Sequence, residues 1–261
     1  MAGHSKFKNI MYRKGAQDKK RDSLFTKITK EITVAAKLGA PDPDQNARLR
    51  SAIQLAKASS FPKENIDRAI KKSLDKDTVN YDQMRYEGFG PNGTSIIVEA
   101  LTDNRNRTAA EVRAAFTKFG GTLGETGSVS FLFDRVGVIS YPENIGSDEE
   151  IFEAALSCGA KDVEQFDNCH VIVCSSSELS VVRDILEQKF GSPQSAILEW
   201  RPQSLVSLTQ EPAASVIKLL ETLEDNEDVQ RVAFNLEVDE RSGSHTTQWK
   251  RKETVKDIIN E

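Results

Sequence analysis

The chain has few cysteines, few histidines and no long apolar run, and each shortage excludes something. The three cysteines, Cys158, Cys169 and Cys174, are odd in number and include no CxxC pair. That argues against a disulfide framework and predicts free thiols in a reducing cytosol. Cys169 and Cys174 lie five positions apart on an expected strand, so they face opposite sides of a sheet. Even with His170 beside them they make a poor metal set. No stretch approaches the ~18 apolar residues that span a membrane. The basic N-terminal segment also lacks the apolar core of a signal peptide. The reading is therefore of a cytoplasmic protein without membrane contact. Gly3-His4-Ser5 has no third catalytic partner nearby, and no convergent acid–base set or metal cluster stands out. The protein is read as non-enzymatic, and no cofactor is expected. One loop is glycine-rich, Gly88-Phe89-Gly90-Pro91-Asn92-Gly93. It lacks a GK[ST] ending and leads into a strand, so it reads as a hairpin turn rather than a phosphate cradle.

Positive charge is present, but it is segregated. The net charge is −5. Residues 1–78 carry eighteen Lys/Arg against nine Asp/Glu, whereas residues 79–261 carry seventeen against thirty-one. Within residues 1–21, Lys6, Lys8, Arg13, Lys14, Lys19, Lys20 and Arg21 face a single acid, Asp18. Such asymmetry points to a polyanion partner for that end, most often nucleic acid. Phe7 and Tyr12 are interleaved with these cations, where aromatic rings can stack on bases or ribose. His4 suits a phosphate or a base edge. Lys27, Lys30, Arg48 and Arg50 extend the candidate surface onto the first helices. Arg105 and Arg107 lie in a polar loop that follows a strand and precedes a helix N-terminus, where they can clamp an anion or tie the loop to neighbouring carboxylates.

Periodicity gives the organisation. Residues 1–78 read as a basic arm and three helices. The first is capped at Asp22 or Ser23, with an apolar stripe of Leu24, Phe25, Ile28, Ile32, Ala35 and Ala36, and Gly39 as its stop. The second starts at Asp42-Pro43 and the third at Pro62, with Leu74 facing inward. Beyond them strands and helices alternate. Thr108–Glu111 and Ser147–Glu150 read as capping boxes. Residues 135–202 carry a complete β-α-β-β-α-β set, the ferredoxin-like pattern. Residues 79–134 and 203–239 supply strands including Val129–Asp134 and Leu205–Leu208, which together would close a second such sheet. The fold class is thus α+β: a three-helix bundle with a basic arm, then two ferredoxin-like α/β domains, one inserted into the other. The acid-rich stretch Glu221–Asp228 reads as a solvated helix end, and 240–261 as a flexible tail.

The segments MAGHSKF, RKGAQDKKR, DPDQNARLRSAI, YEGFGPNG, LTDNRNRTAAEVR and FGGTLGETGSVSFLF occur in that order. With them the chain resembles the YebC/PmpR family, which includes the mitochondrial translational activator of cytochrome c oxidase. The resemblance runs from Met1 to about Asp239. The family usually has Trp where this chain has Phe7, which keeps an aromatic at that place. The resemblance implies the same three-domain layout. It also implies one of two roles: a DNA-binding transcriptional regulator acting on promoter DNA, or a translation factor. The latter would bind ribosomal RNA on the ribosome and relieve stalling at proline-rich sequences. The charge pattern fits both, because DNA and RNA present the same phosphates.

Overall fold

The structure, a computed structural model, describes residues 17–75, 77–166 and 168–239, with side chains from Arg21 onward. Helix α1 (Gln17–Leu38) begins inside the basic run, not at Asp22 or Ser23. Gln, Lys and Arg are good helix formers, and nothing in the run stops the helix. Helices α2 (Ala47–Ala58) and α3 (Lys63–Ser73) follow. The residues Asp42-Pro43 do not start α2. The Asp42 carboxylate accepts the Asp44 N–H at 3.0 Å in a local turn, and Asn46 caps the helix by accepting the Leu49 N–H at 3.0 Å. The Asn46 amide also donates to the Ala35 and Ala40 carbonyls at 2.8 and 2.7 Å, which joins the end of α1 to the start of α2. A Cβ on Gly39 would lie 2.5 Å from that amide, so this junction requires glycine. Ile28, Ile32, Leu49, Ala52 and Ile66 form the bundle core, and Phe25 meets Phe61 edge-on at 4.9 Å. Leu24 and Leu74 are exposed, at 38% and 61%. Leu74 does not face inward because α3 ends at Ser73, which puts it past the helical phase.

The remainder is mixed α/β. Strands β1 (Asp82–Phe89) and β2 (Ser95–Thr102), helix α4 (Arg105–Lys118) and the short β3 (Thr122–Leu123) come first. Then follow β4 (Phe133–Pro142), α5 (Asp148–Ser157), β5 (Asp162–Phe166), β6 (Cys169–Ser175), α6 (Leu179–Phe190) and β7 (Ser195–Pro202). The last elements are β8 (Val206–Thr209), α7 (Gln210–Glu224), β9 (Val229–Phe234) and β10 (Leu236–Asp239). The sheet β5-β6-β4-β7 pairs its strands antiparallel throughout, in the ferredoxin-like order. Ser147 and Glu150 form the capping box of α5. Cys174 packs in the core beneath the two helices of this unit, while Cys169 lies against the other face of the sheet.

The other large sheet has the order β3-β1-β2-β9. It is not ferredoxin-like, because the β1–β2 hairpin occupies its centre. Val129–Asp134 is not one of its strands. The buried Glu87 carboxylate accepts the Val129 and Ser130 N–H groups at 2.9 and 2.8 Å. Those are backbone donors that a ladder would need. Residues 130–132 turn instead, and Phe133 already belongs to β4. Strand β8 joins neither large sheet and pairs parallel with β10. Asn235 separates β9 from β10, its side-chain oxygen accepting the Ser95 N–H at 2.7 Å. Helix α4 is capped by Asn104, which accepts the Arg107 N–H at 3.0 Å. Thr108 is therefore inside the helix and is not its cap. No helix among the described residues is long and apolar enough to cross a membrane.

Candidate nucleic-acid interface

The candidate residues divide sharply by what surrounds them. His4, Lys6, Phe7, Lys8, Tyr12, Arg13 and Lys14 lie outside the described residues. Lys19 and Lys20 fall on the first turn of α1. Arg21 is exposed and stacks its guanidinium 5.1 Å from the Phe25 ring centroid. Further along α1 the cations turn toward the protein. Lys27 donates to the Glu224 carbonyl at the end of α7. Burial pushes the Lys27 ammonium down, against the attraction of Glu224 and Asp225. Lys30 donates to the Glu227 carbonyl at 3.0 Å and pairs with Asp228 at 2.7 Å.

Asp228 is the centre of this contact. One carboxylate oxygen takes Lys30. The other accepts Arg107 at 2.8 Å, the Thr108 hydroxyl at 2.7 Å and the Thr102 hydroxyl at 3.3 Å. Burial works to raise its pKa, but Arg107, Lys30 and Thr108 together outweigh burial and hold it at about 2. Arg107 is raised in turn, first by Asp228 and then by Asp103. Arg105 pairs with Asp82 through two bonds of 2.7 and 2.8 Å. Arg48 pairs with Glu31 through two bonds of 2.7 and 3.1 Å. Lys27, Lys30, Arg48, Arg105 and Arg107 are thus bound to the protein's own acids and carbonyls and are not presented to solvent as free cations.

Of the described candidates, Arg21 and Arg50 have no carboxylate partner among the described residues, and the Arg50 Nε is buried without a hydrogen bond. Sequence reading missed the free cations of the bundle. Lys57, Lys63, Arg68, Lys71 and Lys72 are exposed on the end of α2 and along α3. It also missed Asp228, because nothing local separates that residue from the four other acids of Glu221–Asp228. Only the tertiary approach of α1 does so.

The depressed Asp228 pKa fixes a sign. A carboxylate held below its ordinary value contributes stability above that value and loses it as pH falls toward the folded pKa. Between pH ~4 and pH ~2 this site should therefore lose on the order of 2 kcal/mol. Urea unfolding across that range should show the loss, and an Asp228→Asn protein should lack this component of the pH dependence.

The TACO1/YebC protein N-terminal domain model matches residues 5–76, and the TACO1/YebC second and third domain model matches residues 81–236. A solved structure, that of a conserved hypothetical protein from Aquifex aeolicus, is 44% identical with a TM-score of 0.78. The match covers 86% of this chain and 93% of that one. With the matches running almost unbroken from Ser5 to Leu236, the chain belongs to the TACO1/YebC family.

Proposed function

We propose that the protein is a non-enzymatic cytosolic regulator of gene expression that binds nucleic acid through its basic N-terminal arm, as a DNA-binding transcriptional regulator. One observation carries this reading. The arm holds seven Lys/Arg against one acid, whereas the cations further along α1 and at the start of α4 are already paired. Positive charge is thereby concentrated in the sequence of the arm, followed by the exposed Arg21 and the exposed cations of α3. Phosphates neutralised by Lys and Arg release counterions, which supplies sequence-independent affinity and orients the chain on the polymer. The acidic remainder, seventeen Lys/Arg against thirty-one Asp/Glu over residues 79–261, repels a second polyanion surface and keeps contact at one end.

A second reading is a translation factor on ribosomal RNA, and one observation favours it. Phe7 and Tyr12 sit among the arm cations, and aromatic side chains stack best on the unpaired bases that RNA loops offer. Crosslinking in cells followed by sequencing of the bound nucleic acid tests both readings. Enrichment of promoter DNA supports the transcriptional role, and enrichment of ribosomal RNA supports the translational one. Recovery no greater than from a protein lacking residues 2–21 overturns the arm as the contact.

A further inference from the structure

A cleft of about 560 Å³ opens where the helical bundle, the β3-β1-β2-β9 sheet and the β5-β6-β4-β7 unit meet. Five arginines line it: Arg48, Arg85, Arg135, Arg183 and Arg231. Only two carboxylates, Glu31 and Glu99, stand among them on the wall. Glu87 and Asp184 pair with Arg85 and Arg183 from just off the wall, so five arginines face four carboxylates and Arg231 is left without one among the described residues.

The arginines are held in place. Arg48 forks onto Glu31, Arg85 pairs with Glu87 at 3.0 Å, and Arg85 and Arg135 flank the Trp200 ring at 5.3 and 5.0 Å from its centroid. The Trp200 indole donates to Glu99 at 3.1 Å, and Arg135 pairs with the same carboxylate at 2.9 Å. Arg183 is 1% exposed, and two of its nitrogens share one oxygen of Asp184. Arg231 lies opposite Glu99 in the β2–β9 register and makes one bond, to the Leu198 carbonyl at 3.1 Å. Each guanidinium carries five N–H donors, and the bonds named use only one or two of them. Gln230, also on the wall, has a buried amide nitrogen without a hydrogen-bond partner. Between the cations the lining is apolar, with Leu55, Leu179 and Ile197.

We propose that this cleft is a binding site for a small phosphorylated ligand of the nucleotide class. Arginine forks on a fixed frame match phosphoryl oxygens in geometry and charge, and the apolar wall offers a surface for a flat ring. The volume falls in the range of small-ligand sites and is too small for a nucleic-acid helix. Three parts of the molecule contribute to the wall, so an occupied cleft would also tie them together. The site is independent of the arm and of what the arm binds.

Isothermal titration of the full chain with ADP tests this, beside adenosine and a short oligonucleotide. Two variants are compared with the parent. Arg231→Gln removes a cation whose described bond is to a carbonyl. Ser180→Trp fills the mouth from an exposed position on α6. Saturable ADP binding, weakened about tenfold or more in both variants with melting temperature retained, is the expected result. Adenosine should bind far more weakly, and the oligonucleotide should bind all three proteins alike. Absence of saturable ADP binding, equal ADP binding in parent and variants, or equal binding of adenosine overturns the proposal. Loss of oligonucleotide affinity in the variants without any ADP binding also overturns it, and makes the cleft a contact for a polymer.

Discussion

Replacing Asp228 by alanine should cost about 3–5 kcal/mol of folding stability, the range for breaking a buried charge pair by deleting one partner. The cost arises from what is left behind. Lys30, whose side chain is 11% exposed, would keep the Glu227 carbonyl and the Tyr81 ring but lose its counter-charge. The Thr102 and Thr108 side chains, both in fully buried residues, would retain only each other and the Asn104 backbone. Arg107 is half exposed and still paired to Asp103, so it contributes least to the penalty. Urea unfolding of parent and variant measures the difference. A loss below about 1 kcal/mol would mean that water replaces the carboxylate, as at an exposed ion pair. Because Lys30 belongs to α1 while Thr102 ends β2, Thr108 lies in α4 and Asp228 immediately precedes β9, the variant should also loosen the helical bundle from the rest. Faster hydrogen exchange across the whole of α1 would register that loosening.

Deleting residues 2–21 should remove most of the affinity for nucleic acid and most of its salt dependence. Each phosphate neutralised contributes about 0.9 to the log–log salt slope on duplex DNA, so seven cations account for a slope of up to about 6. Among the described residues, the deletion takes away the first turn of α1 and Arg21. The buried core of the bundle begins at Ile28, with Phe25 packed against it, so the truncated protein should fold. Fluorescence anisotropy with a labelled duplex between 50 and 200 mM salt gives both slopes. Equal slopes in the two proteins would move the interface to the exposed cations of α3.

Much of the fold was legible because it rests on local rules. The 3.6-residue stripes of the bundle, the Ser147–Glu150 capping box and the alternation over residues 135–202 all depend on neighbours a few positions apart. Some misreadings were local, such as the Asp42-Pro43 turn and Leu74 beyond the end of α3, but the larger ones arise where a distant partner overrides a local signal. Thr108 has the sequence setting of a helix cap, yet its hydroxyl bonds to Asp228, and Asn104 caps the helix instead. Val129–Asp134 alternates like a strand, yet Glu87 takes its amides from across the sheet. Lys27 and Lys30 have the composition of a nucleic-acid surface, yet they meet the end of α7 nearly 200 positions away. The cleft arginines are scattered from Arg48 to Arg231 and carry no spacing signature. Only the packing of three parts brings them to one wall.

The β1–β2 hairpin bears on how the chain is made. Strand β2 is central, and its second neighbour is β9, with Ile96 pairing with Phe234. On a chain emerging from the N-terminus, β2 must wait with an open edge while all of β4 to β7 is synthesised. Such an edge invites wrong pairing. Two features limit the exposure. The intervening unit has its own complete sheet and can close first. Its ends also lie side by side, since Phe133 pairs with Pro202 and the Gln203 N–H bonds to the Leu132 carbonyl at 2.9 Å. Once that unit has formed, the loop that β9 must close is far shorter than its count of residues, and the entropy of closure falls accordingly. Closure of the inserted unit before β9 leaves the ribosome should therefore govern the yield of correctly paired protein.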